Sequence, residues 1–271
     1  MKKRYKTILS IAGSDSSGGA GIQADIKSIS ANGGYAATVI TATTAQNTQG
    51  VTDINSIPIS HIEAQLEAVL SDIEFGAVKI GMLHSAEVIE VVEKKLEDYG
   101  MNKIILDPVM VATSGHHLIT DDAIERLKSF LPKVYLITPN IPEAEILIDE
   151  KISKENLEES AIKIAKKYNT SILLKGGHLE DTNEMIDTLC LKDTLECISI
   201  RNRPVKSINT HGTGCSLSSA IATYISLGFE LEESTRKACT YLNRAIEEGK
   251  DIYLGKGHGP VHHFYALKDQ L

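Results

Sequence analysis

The chain lacks the features that would send it to a membrane, a nucleic acid or an oxidising compartment. No apolar run approaches the roughly 18 residues of a membrane span. Basic residues are outnumbered, with 28 Lys and Arg against 36 Asp and Glu, and a net charge of −8 argues against a nucleic-acid surface. An anionic substrate must therefore be met by a local positive site. Cysteine is confined to Cys190, Cys197, Cys215 and Cys239, which form no C-x-x-C pair and show no zinc-ligand spacing. Reduced thiols and a cytoplasmic location fit that pattern best. The basic segment Met1 to Lys6 is followed by too short an apolar stretch for a secretory signal before glycines intervene. Pro/Ser-rich linkers, low-complexity tracts and internal repeats are missing too. A single domain over residues 1–271 is expected.

Short apolar runs alternate with helix-period segments to the end. The strand candidates are Thr7–Ala12, Ala37–Ala42, Ala77–Gly81, Lys103–Leu106, Val134–Ile137 and Ser171–Leu174. Helices are expected between them: Ile22, Ile26 and Ile29 recur at helical spacing, as do Ile62, Leu66, Val69 and Ile73. Further candidates are Ala86–Asp98, Asp121–Phe130, Lys154–Tyr168, Cys215–Leu227 and Leu231–Lys250. This order predicts a three-layer α/β/α domain with a mainly parallel central sheet. Glu184–Leu191 and Glu196–Ile200 bracket Lys192-Asp193-Thr194 and predict a small antiparallel edge hairpin.

The most informative stretch is Thr210-His211-Gly212-Thr213-Gly214-Cys215-Ser216, a glycine turn opening a helix. Such a turn aims backbone N–H groups at an anion. At the positive end of the helix dipole, the Cys215 thiol is expected to have a lowered pKa. Ligands of parallel sheets bind beyond the carboxyl ends of the strands, and the unusual residues gather at those ends. Gly13 to Asp25 holds four glycines, though Asp25 is also explained as a first-turn carboxylate. Thr41 to Thr48 is a polar stretch whose Gln46 offers a donor and an acceptor to a heteroaromatic edge. Lys79-Ile80-Gly81-Met82 permits close approach and a cover for a flat ligand. Asp107-Pro108-Val109-Met110 caps a buried strand with an acid that needs a cation, Mg²⁺ being the obvious one. The following Val111 to His117 reads as a flap; His116 and His117 are adjacent, which is poor zinc spacing. Asn140 and Glu143 enter a helix three apart, the spacing of a capping box as well as of a metal and phosphate site. Lys175-Gly176-Gly177-His178 adds a cation at a sixth strand end. Gly255-Lys256-Gly257-His258-Gly259-Pro260 adds a glycine-rich loop able to close over a nucleotide.

Taken in order, these motifs resemble the ribokinase-like superfamily, and within it the hydroxymethylpyrimidine/phosphomethylpyrimidine kinases. The likeness covers nearly the whole chain, from Ile11 to Phe264. It implies a kinase using ATP and Mg²⁺, with K⁺ an open question, that phosphorylates 4-amino-5-hydroxymethyl-2-methylpyrimidine and then its monophosphate. It implies that Gln46, Gly13, Asp25, Met82 and Val109 bind the pyrimidine. Asp107 and Glu143 would serve the metal; Asn140 and Lys175, with Lys256 and His258, the nucleotide. The N–H groups of Gly212, Thr213, Gly214 and Cys215 would stabilise the transferred phosphoryl, with Cys215 where related sugar kinases carry a general-base Asp. A homodimer is expected, with no nucleic-acid or membrane partner. The competing readings are a pyridoxal/pyridoxine kinase of the same subfamily and a non-catalytic binding protein that kept the fold.

Overall fold

The computed structural model describes residues 4–110, 120–177 and 185–267. Among them nine strands form one sheet in the order β3-β2-β1-β4-β5-β6-β7-β8-β9. They are β1 (Thr7–Asp15), β2 (Tyr35–Asn47), β3 (Gly50–Ser56), β4 (Ala77–Ile80), β5 (Ile104–Leu106), β6 (Leu136–Ile137), β7 (Ser171–Leu174), β8 (Met185–Cys190) and β9 (Cys197–Asn202). The neighbours from β2 through β7 pair in parallel, whereas β3 and the β8–β9 hairpin are antiparallel additions at the two edges.

The central strands are apolar on both faces because helices cover both. Ile104 and Leu106 point one way and Ile105 the other. On the first face lie α2 (Ile59–Leu70), α3 (Ala86–Asp98), α4 (Asp121–Phe130), α5 (Ile141–Ile148) and α6 (Leu157–Tyr168). On the second lie α1 (Gly21–Ala31), α7 (Thr213–Ser226) and α8 (Leu231–Gly249). The three layers and the edge hairpin agree with the sequence reading.

Five details differ from it. Strand β1 runs three residues past Ala12, through a register shift between Ala12 and Ser14. Strand β2 continues through the stretch expected to be a loop, so Gln46 stands on a strand and pairs with Val51. Its partner β3 was not foreseen, because its residues are almost all exposed and carry no burial pattern. Helix α7 begins two residues early, which puts Cys215 inside its first turn, and Ile26 turns out exposed at 39%. The expected flap at Val111 to His117, with His116 and His117, and also His178 lie outside the described residues.

Candidate active site

The chain leaves β1 to build β2 on one side and returns to build β4 on the other. Ligands of such sheets sit at that reversal, beyond the strand ends. Here the β1 and β4 ends meet tightly: a Cβ on Gly13 would stand 3.0 Å from Met82 Cε. The Thr41 hydroxyl donates to Met82 O at 3.1 Å and fixes the turn after β4.

Beneath this floor lies a buried ion pair. Lys79 Nζ is 2.8 Å from Asp25 Oδ1, and both side chains are fully enclosed. Ser10 and Ser219 hydroxyls also donate to Asp25, at 2.6 and 2.8 Å. Asp25 therefore lies behind the pocket wall with its oxygens occupied, a correction to its expected place lining the pocket. The signal was available: a lysine inside the fully buried Ala-Val-Lys-Ile strand requires a buried carboxylate. Burial opposes the Lys79 charge, but Asp25 more than offsets this and holds its pKa above the ordinary lysine value.

The opposite wall is the open end of α7. Gly212 caps it at φ +79°. The first intrahelical amide bond is Ser216 N–H to Gly212 O at 2.9 Å, and Thr213 N–H turns back to Thr210 O at 3.3 Å. The amides of Gly214 and Cys215 are left open among the described residues, as a phosphate-binding turn requires. Gly214 closes on the acid and the cation predicted for catalysis. A Cβ there would stand 2.9 Å from Asp107 Oδ2 and 3.4 Å from Lys175 Nζ.

Cys215 does not have the expected lowered pKa. Burial pushes the thiol up to about 11; the Lys79 cation and the Gly21 amide oppose this, while the Asp25 and Asp107 charges add to it. Burial of the sulfur is the largest influence on it, although the residue as a whole is only half-buried. The side chain is a neutral thiol near pH 7.

Asp107 and Lys175 meet at 3.0 Å, and the Thr138 hydroxyl donates to the same Asp107 oxygen at 3.0 Å. Asn140 and Glu143 form the capping box in full. Glu143 N–H donates to Asn140 Oδ1 and Asn140 N–H to Glu143 Oε2, both at 2.9 Å. Glu143 is nonetheless buried beside Lys175 and Asp107. Burial pushes its carboxyl up to about 7, against the attraction of Lys175 and with the help of Asp107. No set of three metal-ligating side chains gathers among the described residues. Two carboxylates of hard oxygen beside an anion-binding turn suit Mg²⁺, which takes its remaining ligands from phosphate and water.

Lys256 and His258 are placed elsewhere. Their loop lies on the β2–β3 turn, where Lys256 N–H and Gly257 N–H donate to the Thr48 hydroxyl at 3.2 and 3.1 Å. His258 Nδ1 reaches Ile208 O at 3.1 Å. Ile208 in turn lines an open groove of about 570 Å³ with Lys206, Ser207, Asn209, Lys250 and Tyr253. Sequence reading missed this groove, because its polar loop residues carry no pattern. It also missed Asp15 and His211, joined at 2.8 Å beside Gln46. Val109 follows Asp107 in a tight turn, its N–H on Asp107 O at 2.8 Å. Among the described residues no helix is long and apolar enough to cross a membrane.

The chain matches known proteins over most of its length. Residues 15–262 match the model of the family described as phosphomethylpyrimidine kinase. A hydroxymethylpyrimidine/phosphomethylpyrimidine kinase of Rhizobium meliloti is 43% identical over 260 residues, 95% of this chain and 96% of that protein. A thiamine biosynthesis bifunctional protein of Geobacter sulfurreducens is 45% identical over 97% of this chain. The chain spans only 53% of that protein's length, about half, and about a third to a half of three further relatives. The crystal structure of a phosphomethylpyrimidine kinase from Clostridium difficile is 40% identical with a TM-score of 0.77, covering 89% of this chain and 99% of that one. A Staphylococcus aureus pyridoxal kinase in complex with AMP-PCP superposes with a TM-score of 0.88 at 28% identity, covering 98% and 96%.

Proposed function

This chain belongs to the phosphomethylpyrimidine kinase family, and from that premise we propose that it is an ATP-dependent kinase of thiamine biosynthesis. Its substrates are 4-amino-5-hydroxymethyl-2-methylpyrimidine and then the monophosphate, which it converts to the diphosphate. The observation that carries the reading is that Asp107 and Lys175 both reach the place a Cβ on Gly214 would occupy, which brings open amides, an acid and a cation together.

The ring lies at the β1–β4 reversal, against Gly13, Met82 and Val109, with its edge on Gln46. That pose turns the hydroxymethyl group toward Cys215. The open amides of Gly214 and Cys215 take up charge on the transferred phosphoryl, and one such preorganised donor is worth about 10²–10³ in rate. Lys175 neutralises charge beside them, and Asn140 contacts the nucleotide. The groove by Ile208, where His258 Nδ1 reaches the Ile208 carbonyl, holds the remainder of the nucleotide, with Lys256 on the same loop as His258. Asp107 and Glu143 would hold Mg²⁺, which when bound shields the phosphate charge. Phosphoryl transfer is loose and needs little early deprotonation. A neutral Cys215 thiol therefore serves by positioning the hydroxyl rather than by removing its proton.

Phosphorus NMR with Mg²⁺-ATP and the pyrimidine alcohol tests the reading: a monophosphate signal followed by a diphosphate pair is expected. Activity on pyridoxal alone would support the second reading, favoured by the close superposition of pyridoxal kinases. The finer parts of the proposal have direct measurements as well. Rates in K⁺ against Na⁺ test the monovalent ion, sedimentation tests a homodimer, and fractionation tests a cytoplasmic location.

A further inference from the structure

Lys175, the cation beside the amide turn, directly follows the last residue of β7. Its main chain is held on both sides. The Lys175 N–H donates to Pro139 O at 3.0 Å, which ties the peptide before its Cα to the segment after β6. The peptide after its Cα carries the Gly176 N–H, which donates to Asp187 Oδ1 on β8, also at 3.0 Å. The paired residues of β7 and β8 end one step earlier, at Leu174 opposite Thr188. A side chain therefore takes over where the strand pairing stops. The approach is close, and a Cβ on Gly176 would collide with the Ile186 carbonyl oxygen.

Each residue has only two soft backbone angles. Fixing the peptide planes on either side of Lys175 fixes both of them, and with them the direction of its Cα–Cβ bond. Its ammonium then meets Asp107 Oδ1 at 3.0 Å and stands where a Cβ on Gly214 would lie 3.4 Å away.

Asp187 is a costly group to place there. It is 7% exposed, and an enclosed carboxylate loses its hydration. Burial pushes its carboxyl up to about 6, against the Gly176 amide, the Lys175 charge and the Cys239 thiol. Its other hydrogen bond among the described residues is weak, from Cys239 Sγ at 3.9 Å to Oδ2. A charged acceptor holds an N–H about twice as strongly as a neutral one, which gives the acid a use that an apolar residue in this strand would not have.

We propose that Asp187 is a positioning residue for Lys175: by holding the Gly176 amide it aims the ammonium at the place where phosphoryl charge develops. It acts through Lys175. The inference rests on the reading that Lys175 serves the transferred phosphoryl.

The test is a double-mutant cycle on kcat with Mg²⁺-ATP and the pyrimidine alcohol, with the dissociation constant of that alcohol measured by calorimetry. Lys175→Met should lower kcat about 10²-fold, as for one preorganised group. Asp187→Thr has nearly the same volume but a shorter reach, and frees the Gly176 amide. It should lower kcat about tenfold, for a displacement of the ammonium of less than about 1 Å, and leave binding of the alcohol within about twofold. In the Lys175→Met background the same change should alter kcat by less than about twofold, because no ammonium is left to aim. Asp187→Asn keeps an oxygen for the amide and should recover most of the rate. Asp187→Ala gives the same readings if the Thr variant does not fold. A loss at Asp187 that is equal with and without Lys175, or as large in Asp187→Asn as in Asp187→Thr, overturns the proposal. If Lys175→Met itself keeps kcat within about threefold, the reading of Lys175 falls and the proposal with it.

Discussion

Replacing Gly212 by Ala should damage catalysis far more than stability. Gly212 adopts φ +79°, and a Cβ there would stand 1.9 Å from the Gly19 carbonyl oxygen and 3.2 Å from Ala20 Cα. The left-handed backbone costs a residue with a Cβ about 1–2 kcal/mol. At about 2–4 °C per kcal/mol, that backbone cost alone lowers Tm by a few degrees, and the clash with the Gly19 carbonyl lowers it further. The clash also adds something different. Relief to an ordinary contact needs a movement of roughly 1.5 Å, and a displacement of about 1 Å at a reacting centre costs about 10²-fold. The moving parts are the α7 amide turn and the glycine loop after β1, the two walls of the site. Steady-state kinetics should show kcat down about 10²-fold, a loss of about 2.7 kcal/mol in the barrier. Gly228→Ala provides the control. Its φ is +97°, but a Cβ there meets no heavy atom within 4 Å. That variant should lose only the few degrees of Tm due to the backbone conformation and keep its kcat. If Gly212→Ala keeps kcat within threefold while matching the Tm of Gly228→Ala, the amide turn is not where phosphoryl charge develops.

Other consequences can be measured independently. Lys79→Met leaves Asp25 charged and enclosed, and urea unfolding should show a loss of about 3–5 kcal/mol, partly recovered by adding Asp25→Asn; a loss under about 1 kcal/mol would contradict the buried ion pair. Cys215→Ala should lower kcat about tenfold, or about 1.4 kcal/mol in the barrier, and with a thiol pKa near 11 the wild-type rate should show no thiol step between pH 7 and 9. A near-wild-type kcat in Cys215→Ala would remove its positioning role. A bound Mg²⁺ holds a ligating carboxylate ionised, so with Mg²⁺ saturating the rate should show no Glu143 step near pH 7, and Glu143→Gln should lower activity. In the metal-free protein, burial raises the Glu143 carboxyl to about 7, and that raised pKa acts on stability. Its contribution is fully present below the unfolded value and lost as pH rises through the folded one, so Glu143→Gln should flatten unfolding free energy between about pH 4.5 and 7.

Much of this molecule could be read from short-range pattern. Runs such as Ile104–Leu106 and Ser171–Leu174 can only be strands covered on both faces, and the helical spacing between strands supplies the covering layers. The capping box at Asn140 and Glu143 and the glycine turn before α7 are local in the chain, so their spacing was sufficient to place them. Other features depended on contacts across long separations. The sequence allowed Asp25 as a pocket residue or a helix-start acid, and only the position of Lys79, 54 residues away, turned it into half of an enclosed ion pair. The dipole favoured a Cys215 thiolate, but burial of the sulfur, with the charges of Asp25 and Asp107, decided for the thiol. Strand β3 gave no signal because its partner is the solvent-facing end of β2 and neither side buries a stripe. His211 gained its partners, Asp15 and Gln46, only when 196 and 165 residues of chain folded back between them. Periodicity and turn chemistry, which act within a few residues, thus determined the layers and the anion-binding turn. Burial and charge pairing depend on which distant segments meet, and tertiary structure alone decided which of the expected side chains face the site and in what ionisation state.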